Sequence, residues 1–115
     1  MRVHEFAVTQ RVLDIALEKA EEARATRVAR INLVIGEMSS IVDDSVQFYF
    51  DFLSRDSIAS GATLSFDRVR TRLRCRQCGY SFTPESPPWD CPQCHNWDME
   101  ITAGQELYID SIEVE

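Results

Sequence analysis

Four cysteines and two histidines carry most of the chemistry this sequence offers. Cys75-x-x-Cys78 is followed, after 12 intervening residues, by Cys91-x-x-Cys94. Two residues between thiolates let one tight turn aim both sulfurs at a single ion, with backbone N–H groups of the turn free to bond to the sulfurs. Gly79 suits such a turn because it can take a positive φ. Two such turns predict a tetrahedral S4 site, which favours zinc or, less often, iron. Two disulfides are the alternative, and the spacing speaks for metal. Four protein ligands leave no open position, so the expected zinc is structural rather than catalytic. His95 adjoins Cys94 and reads either as a surface residue of the knuckle or as a substitute zinc ligand.

The second centre of interest is His4-Glu5, at the start of a helical pattern. A histidine near a chain end is ordinarily exposed or hydrogen-bonded near the helix start. Its chemical alternative is a nitrogen-rich site. Backbone amides near a terminal amine can lose protons to a d8 metal, and with imidazole they build the square-planar field that suits Ni(II) or Cu(II). Glu5 could add an oxygen ligand or steer the cation. Asp43 and Asp44 follow a loop that could approach the same end and complete the site. The chain would then hold one metal for structure and another for delivery. No Ser-His-Asp, Cys-His or H-E-x-x-H arrangement is present, and the cysteines are committed to metal, so an enzyme is not expected.

The elements that must position these groups follow from periodicity. Val8, Val12, Ile15, Ala16, Ala20 and Ala23 recur at three- and four-residue steps, opposite Arg11, Asp14, Glu18, Glu21 and Glu22. This predicts a helix from Glu5 to about Arg24. Ile31, Leu33 and Ile35 alternate with Arg30 and Asn32, a strand that Gly36 ends. Asp43, Asp44 or Ser45 can cap a second helix bearing Val46, Phe50 and Leu53, with Phe48, Tyr49 and Phe52 beside them. In "ATLSFDRVRTRLRC" the inward parity changes from Leu64 and Phe66 to Val69 and Leu73, which predicts a break near Asp67. Arg68, Arg70, Arg72 and Arg74 read as a solvated edge that deters strand pairing. "ELYIDSIEVE" is strand-like and is expected to return to the sheet. Residues 75–98 hold all four prolines and little apolar periodicity, so they need a staple. Trp89 and Trp97 flank the second knuckle and are expected to cover the metal.

The expected fold is α/β (α+β): two helices on a small mixed β-sheet with an inserted zinc-ribbon domain. Residues 1–74 plus 99–115 would form one domain and 75–98 the other. A chain of 115 residues with 44% hydrophobic residues can bury one modest core. A net charge of −7 argues against general nucleic-acid or anionic-membrane binding. No apolar run approaches the roughly 18 residues of a membrane span, and no signal-peptide core precedes Gln10. A soluble cytoplasmic protein is expected.

Five stretches together carry a resemblance: "HEFAV" leading into a helix, "INLVIGEMSS", "VQFYFDFL", the double CxxC with "CPQCH", and the closing "SIEVE". They resemble the nickel-insertion accessory proteins of NiFe-hydrogenase maturation (HypA/HybF), over essentially the whole chain. The double CxxC alone is shared with many zinc ribbons; its combination with the other stretches is specific. The resemblance implies a nickel-binding α/β domain with His4 and Glu5 at the nickel site, and a zinc domain held by Cys75, Cys78, Cys91 and Cys94. It further implies that nickel passes, with a partner GTPase, into the hydrogenase large-subunit precursor. Some members also serve urease accessory proteins, and a homodimer is compatible. The family opens Met-His-Glu, whereas His4 here sits two residues deeper; a start at Val3 from a GUG codon would restore that opening. Without nickel delivery, the remaining reading is a zinc-ribbon adaptor that binds protein or nucleic acid.

Overall fold

The computed structural model describes residues 3–85 and 87–115, with side chains from Glu5 onward. Eight elements follow in order: α1 (Val3–Glu22), β1 (Val28–Gly36), α2 (Asp43–Leu53), β2 (Thr63–Val69), β3 (Arg72–Cys75), β4 (Ser81–Phe82), β5 (Met99–Ala103) and β6 (Leu107–Val114). The chain gathers into two compact units. One holds the residues up to 34, 40–67 and 108–115; the other holds 35–39 and 68–107.

In the first unit, α1 turns Glu5, Thr9, Val12, Leu13, Ala16 and Ala20 inward. The buried stripe is rotated from the expected one: Val8 and Ile15 are half-buried and Ala23 is exposed. Two polar residues therefore stand on the core face. The Thr9 hydroxyl is satisfied by donating to the Glu5 carbonyl at 2.6 Å, one turn back. α1 ends with Arg24 at φ 56° and the Ala25 N–H returning to the Ala20 carbonyl, a Schellman closure with arginine in the left-handed position.

α2 buries Val46 and Phe50, while Phe48 and Phe52 lie on its exposed side. The rings of Phe6 and Tyr49 meet edge-on at 5.5 Å where α1 and α2 pack. The expected cap at Asp43, Asp44 or Ser45 is not used. The N-cap is Val42, which has no side-chain acceptor to offer. The reason is a long-range substitute: the Glu5 carboxylate, carried in by α1, accepts the Val42 N–H at 2.5 Å.

The main sheet has the order β2-β1-β6. β1 is central and buries Val28, Ile31, Leu33, Val34 and Ile35. β6 runs antiparallel to it, since the Gly36 N–H bonds to the Glu106 carbonyl at one end and the Glu115 N–H to the Arg27 carbonyl at the other. β2 runs parallel to β1. Arg30 reaches Ser65 near the two strand starts, and the Glu37 N–H reaches the Val69 carbonyl near the ends. α2 supplies the crossover that a parallel pair requires. On the face opposite Ile31, Leu33 and Ile35, Asn32 donates to Ser111 and Glu113, with Arg30 beside Glu113. The tail thus returns to the sheet, and the fold is two helices with small mixed sheets. Among the described residues no helix is long and apolar enough to cross a membrane.

The second unit holds a separate sheet of order β4-β3-β5, antiparallel throughout. Strand continuity breaks at Arg70–Thr71 rather than near Asp67. β2 stays paired through Val69, whose carbonyl takes the Glu37 N–H, and only then does the chain leave for the ribbon. β3 is the central strand there, not an edge. Arg72 and Arg74 stand on its exposed face with partners on either side: Thr83, just after β4, at 3.2 Å and Glu100 of β5 at 3.0 Å. Because β3 and β5 pair with each other on either side of residues 75–98, the cysteine-bearing unit reaches beyond those bounds. Gly36 belongs to this unit and lies against the Gly104 backbone. A Cβ there would lie 2.0 Å from the Gly104 oxygen, so only glycine fits.

Candidate metal centre

Each pair of cysteines is shaped by the same local bonds. In the first knuckle the Cys75 N–H bonds to the Tyr80 carbonyl and the Gly79 N–H to the Cys75 carbonyl. In the second the Cys91 N–H bonds to the Asn96 carbonyl and the His95 N–H to the Cys91 carbonyl. Gly79 at φ 80° and His95 at φ 61° occupy equivalent left-handed positions. In the second knuckle the N–H groups of Gln93 and Cys94 point at the Cys91 sulfur at 3.4 Å each.

These turns bring Cys75, Cys78, Cys91 and Cys94 together, with all four sulfurs within 4.8 Å of one another. Cys75 and Cys94 sulfurs are 3.5 Å apart, as are those of Cys78 and Cys91. That is far beyond the ~2.05 Å of a disulfide. Thiolates bound tetrahedrally at ~2.3 Å lie about 3.8 Å apart, so the cluster fits a structural zinc site. Cys75 and Cys91 are fully buried; Cys78 and Cys94 face outward.

The electrostatics divide the four thiols. The Cys78 N–H, with help from the Cys94 sulfur and the Gln77 N–H, holds the Cys75 thiol below its usual range despite burial. Burial pushes Cys91 up, but the Cys94 and Gln93 N–H groups more than offset it and bring it to about 6. For Cys94 the Asn96 N–H favours the thiolate, yet burial and the crowding of three other sulfurs push it to about 12. Cys78 is likewise raised: the Tyr80 N–H is outweighed by burial and the sulfurs of Cys91 and Cys75. In each knuckle the buried cysteine is thus favoured as thiolate over its exposed neighbour, and a divalent cation would favour ionisation of all four.

His95 stands outside the sulfur cluster, its Nδ1 3.4 Å from the Asp90 carboxylate on a largely exposed side chain. Trp89 is half-buried, whereas Trp97 is 63% exposed and does not cover the cluster.

At the other end of the chain, the His4 backbone lies in the first turn of α1, and its imidazole lies outside the described residues, as do Met1 and Arg2. Glu5 is fully buried and bonded to Val42. Asp43 and Asp44 occupy the first turn of α2, directly after the residue that Glu5 holds. The burial of Glu5 was the feature sequence reading missed. Its signal was the spacing of Glu5, Thr9 and Leu13, a four-residue ladder that runs into the apolar stripe.

The family profile described as "Hydrogenase/urease nickel incorporation, metallochaperone, hypA" matches residues 3–114. The chain is 47% identical over 113 residues to the hydrogenase maturation factor HypA of Dehalococcoides mccartyi, covering 98% of this chain and 95% of that protein. It is 41% identical over 114 residues to the protein of the same name from Caldanaerobacter subterraneus subsp. tengcongensis, covering 98% and 100%. Its fold is similar to a solution structure described as that of HypA protein, with TM-score 0.78, 25% identity and coverage of 100% and 98%. It is also similar to the solution structure of the Ni metallochaperone HypA from Helicobacter pylori, with TM-score 0.66, 24% identity and coverage of 96% of each chain. The shared two-helix fold, the four-cysteine centre and a profile match from the residue before His4 to the end of β6 converge: the chain belongs to the HypA family of nickel-incorporation metallochaperones.

Proposed function

We propose that this protein binds Ni(II) near its N-terminus, with the His4 imidazole and neighbouring backbone nitrogens as donors and Glu5 at the same site. The cargo is then passed to the NiFe-hydrogenase large-subunit precursor during maturation, with a nickel-loading GTPase as partner in the cytoplasm. Nickel belongs to the unit that carries α1 and α2, and zinc at Cys75, Cys78, Cys91 and Cys94 to the unit that carries β3, β4 and β5. The observation that carries this reading is that the match to the nickel-incorporation family begins at residue 3, so His4-Glu5 falls inside it. A square-planar nitrogen field suits Ni(II), and a site formed at a chain end exchanges metal more readily than a buried four-thiolate site. The protein catalyses no reaction in this scheme; the metal is its cargo. Urease accessory proteins and a second copy of the chain are further candidate partners.

Isothermal titration with nickel tests the reading on three untagged proteins: the present chain, a chain whose Met replaces Val3 after removal of residues 1 and 2, and His4→Gln. Nickel binds the first, binds the second more tightly because the amine lies beside the imidazole, and is lost from the third with zinc content unchanged. Affinity rises with pH, because deprotonation of amine and amides accompanies binding. Equal affinity in all three proteins refutes the assignment.

A further inference from the structure

Glu5 is an unusual residue to find with no exposed surface. A buried carboxylate needs hydrogen-bond donors or positive potential to be tolerated. Here it has both. Glu5 lies in the first turn of α1, and its Oε2 accepts the N–H of Val42, the N-cap of α2. The carboxylate therefore sits at the N-termini of two helices, where both dipoles favour negative charge. Val42, the N-cap residue, has no side-chain acceptor of its own, and the Glu5 carboxylate ties its N–H to the beginning of α1.

From this we infer that Glu5 serves nickel binding as a positioning residue, not as a metal ligand: its carboxylate latches the Ile41–Asp43 segment against the first turn of α1, which fixes the backbone groups next to His4. The inference rests on the proposed N-terminal nickel site and changes the part Glu5 plays in it. The physical distinction is one of acceptor against ligand. A glutamine at position 5 keeps a side-chain carbonyl oxygen that can take the Val42 N–H, but offers a cation only a neutral, weak donor. An alanine removes acceptor and ligand together.

The test uses Glu5→Gln and Glu5→Ala in the full zinc-loaded chain, with two readouts. Hydrogen exchange at the Val42 amide is measured without nickel, and nickel affinity by titration. Glu5→Gln keeps Val42 protected and nickel affinity within about twofold of the parent. Glu5→Ala exposes the Val42 amide and lowers nickel affinity by about tenfold or more, while the β1 amides stay protected. Loss of nickel affinity in Glu5→Gln with Val42 still protected makes the carboxylate a ligand and overturns the inference. So does an unchanged affinity in Glu5→Ala with Val42 exposed. If Glu5→Ala does not fold, the Glu5→Gln comparison decides alone. Failure of the N-terminal site itself is recognised separately, as equal nickel affinity in the parent and His4→Gln.

Discussion

Zinc removal is expected to melt the ribbon and leave the helices standing. Between Arg68 and Leu107, apart from Cys75 and Cys91, Leu73 is the one apolar side chain among the described residues that is fully buried. Burying a leucine contributes about 1.5–3 kcal/mol. Four thiolates closing on zinc contribute about 10–16 kcal/mol in small domains of this kind. Taking the metal away thus removes several times what the apolar contact supplies, and the like-charged sulfurs, all within 4.8 Å, then repel rather than attract. The other unit keeps Phe50, Ile31, Val46 and the rest of its core. Hydrogen exchange followed by mass spectrometry, before and after chelation under reducing conditions, resolves the two parts. Protection of β3 and β5 and of the Gly79 and His95 amides collapses toward unfolded rates, while the amides of β1 and α1 are retained. Cys75→Ser reproduces the pattern in the presence of zinc. If protection in β3 and β5 falls less than about tenfold, a change of about 1.4 kcal/mol, the metal is not what holds the ribbon and the reasoning fails.

Gly36→Ala forces a Cβ to 2.0 Å from the Gly104 oxygen and 2.5 Å from the Gln105 nitrogen; it should destabilise by about 3 kcal/mol or more, read from the urea midpoint. Phe50→Ala empties the largest fully buried side-chain site and should lower stability by about 3–5 kcal/mol in the same assay, with zinc content unchanged. At pH 7 Cys91, at about 6, is already ionised and Cys94, at about 12, still carries its proton. Zinc uptake therefore releases at least one proton and tightens as pH rises, seen as an enthalpy that depends on buffer ionisation; no proton release contradicts the assignment. His95→Gly relieves a non-glycine residue at φ 61° and should raise the chelator resistance of the ribbon, by up to about 1 kcal/mol, whereas Gly79→Ala at φ 80° lowers it.

Local patterns were readable in advance, and long-range ones were not. The alternation of Ile31, Leu33 and Ile35 specified β1 because a strand's side-chain period is fixed by its own backbone. The cysteine spacing specified the knuckles for the same reason, since each turn closes within a few residues. What failed involved partners distant in sequence. Asp43, Asp44 and Ser45 are good caps by type, but the acceptor at the start of α2 comes from Glu5 on another helix. Arg72 and Arg74 look like edge protection until β4 and β5 are seen on both sides of them. The break after β2 falls where the chain exchanges one sheet for another, just past the Val69 carbonyl that takes an N–H from Glu37, a residue distant in sequence. His4, which sequence reading put at the centre of the nickel site, keeps its imidazole outside the described residues.

The order of the strands also sets a timetable for folding. β6 must find β1 across residues 70–106, a long closure for a flexible chain. Once the thiolates have captured their ion, however, β3 and β5 are paired from Arg72–Ala103 inward, and the two ends of the excursion emerge side by side. The effective loop shrinks to a few residues, which lightens the entropic cost of docking β6 by about 1–2 kcal/mol. In a cell short of zinc β6 would dock more slowly, so that newly made chains spend longer with one side of β1 open to other polypeptides before the sheet is complete. Supply of one metal would in this way govern how much protein is available to carry the other.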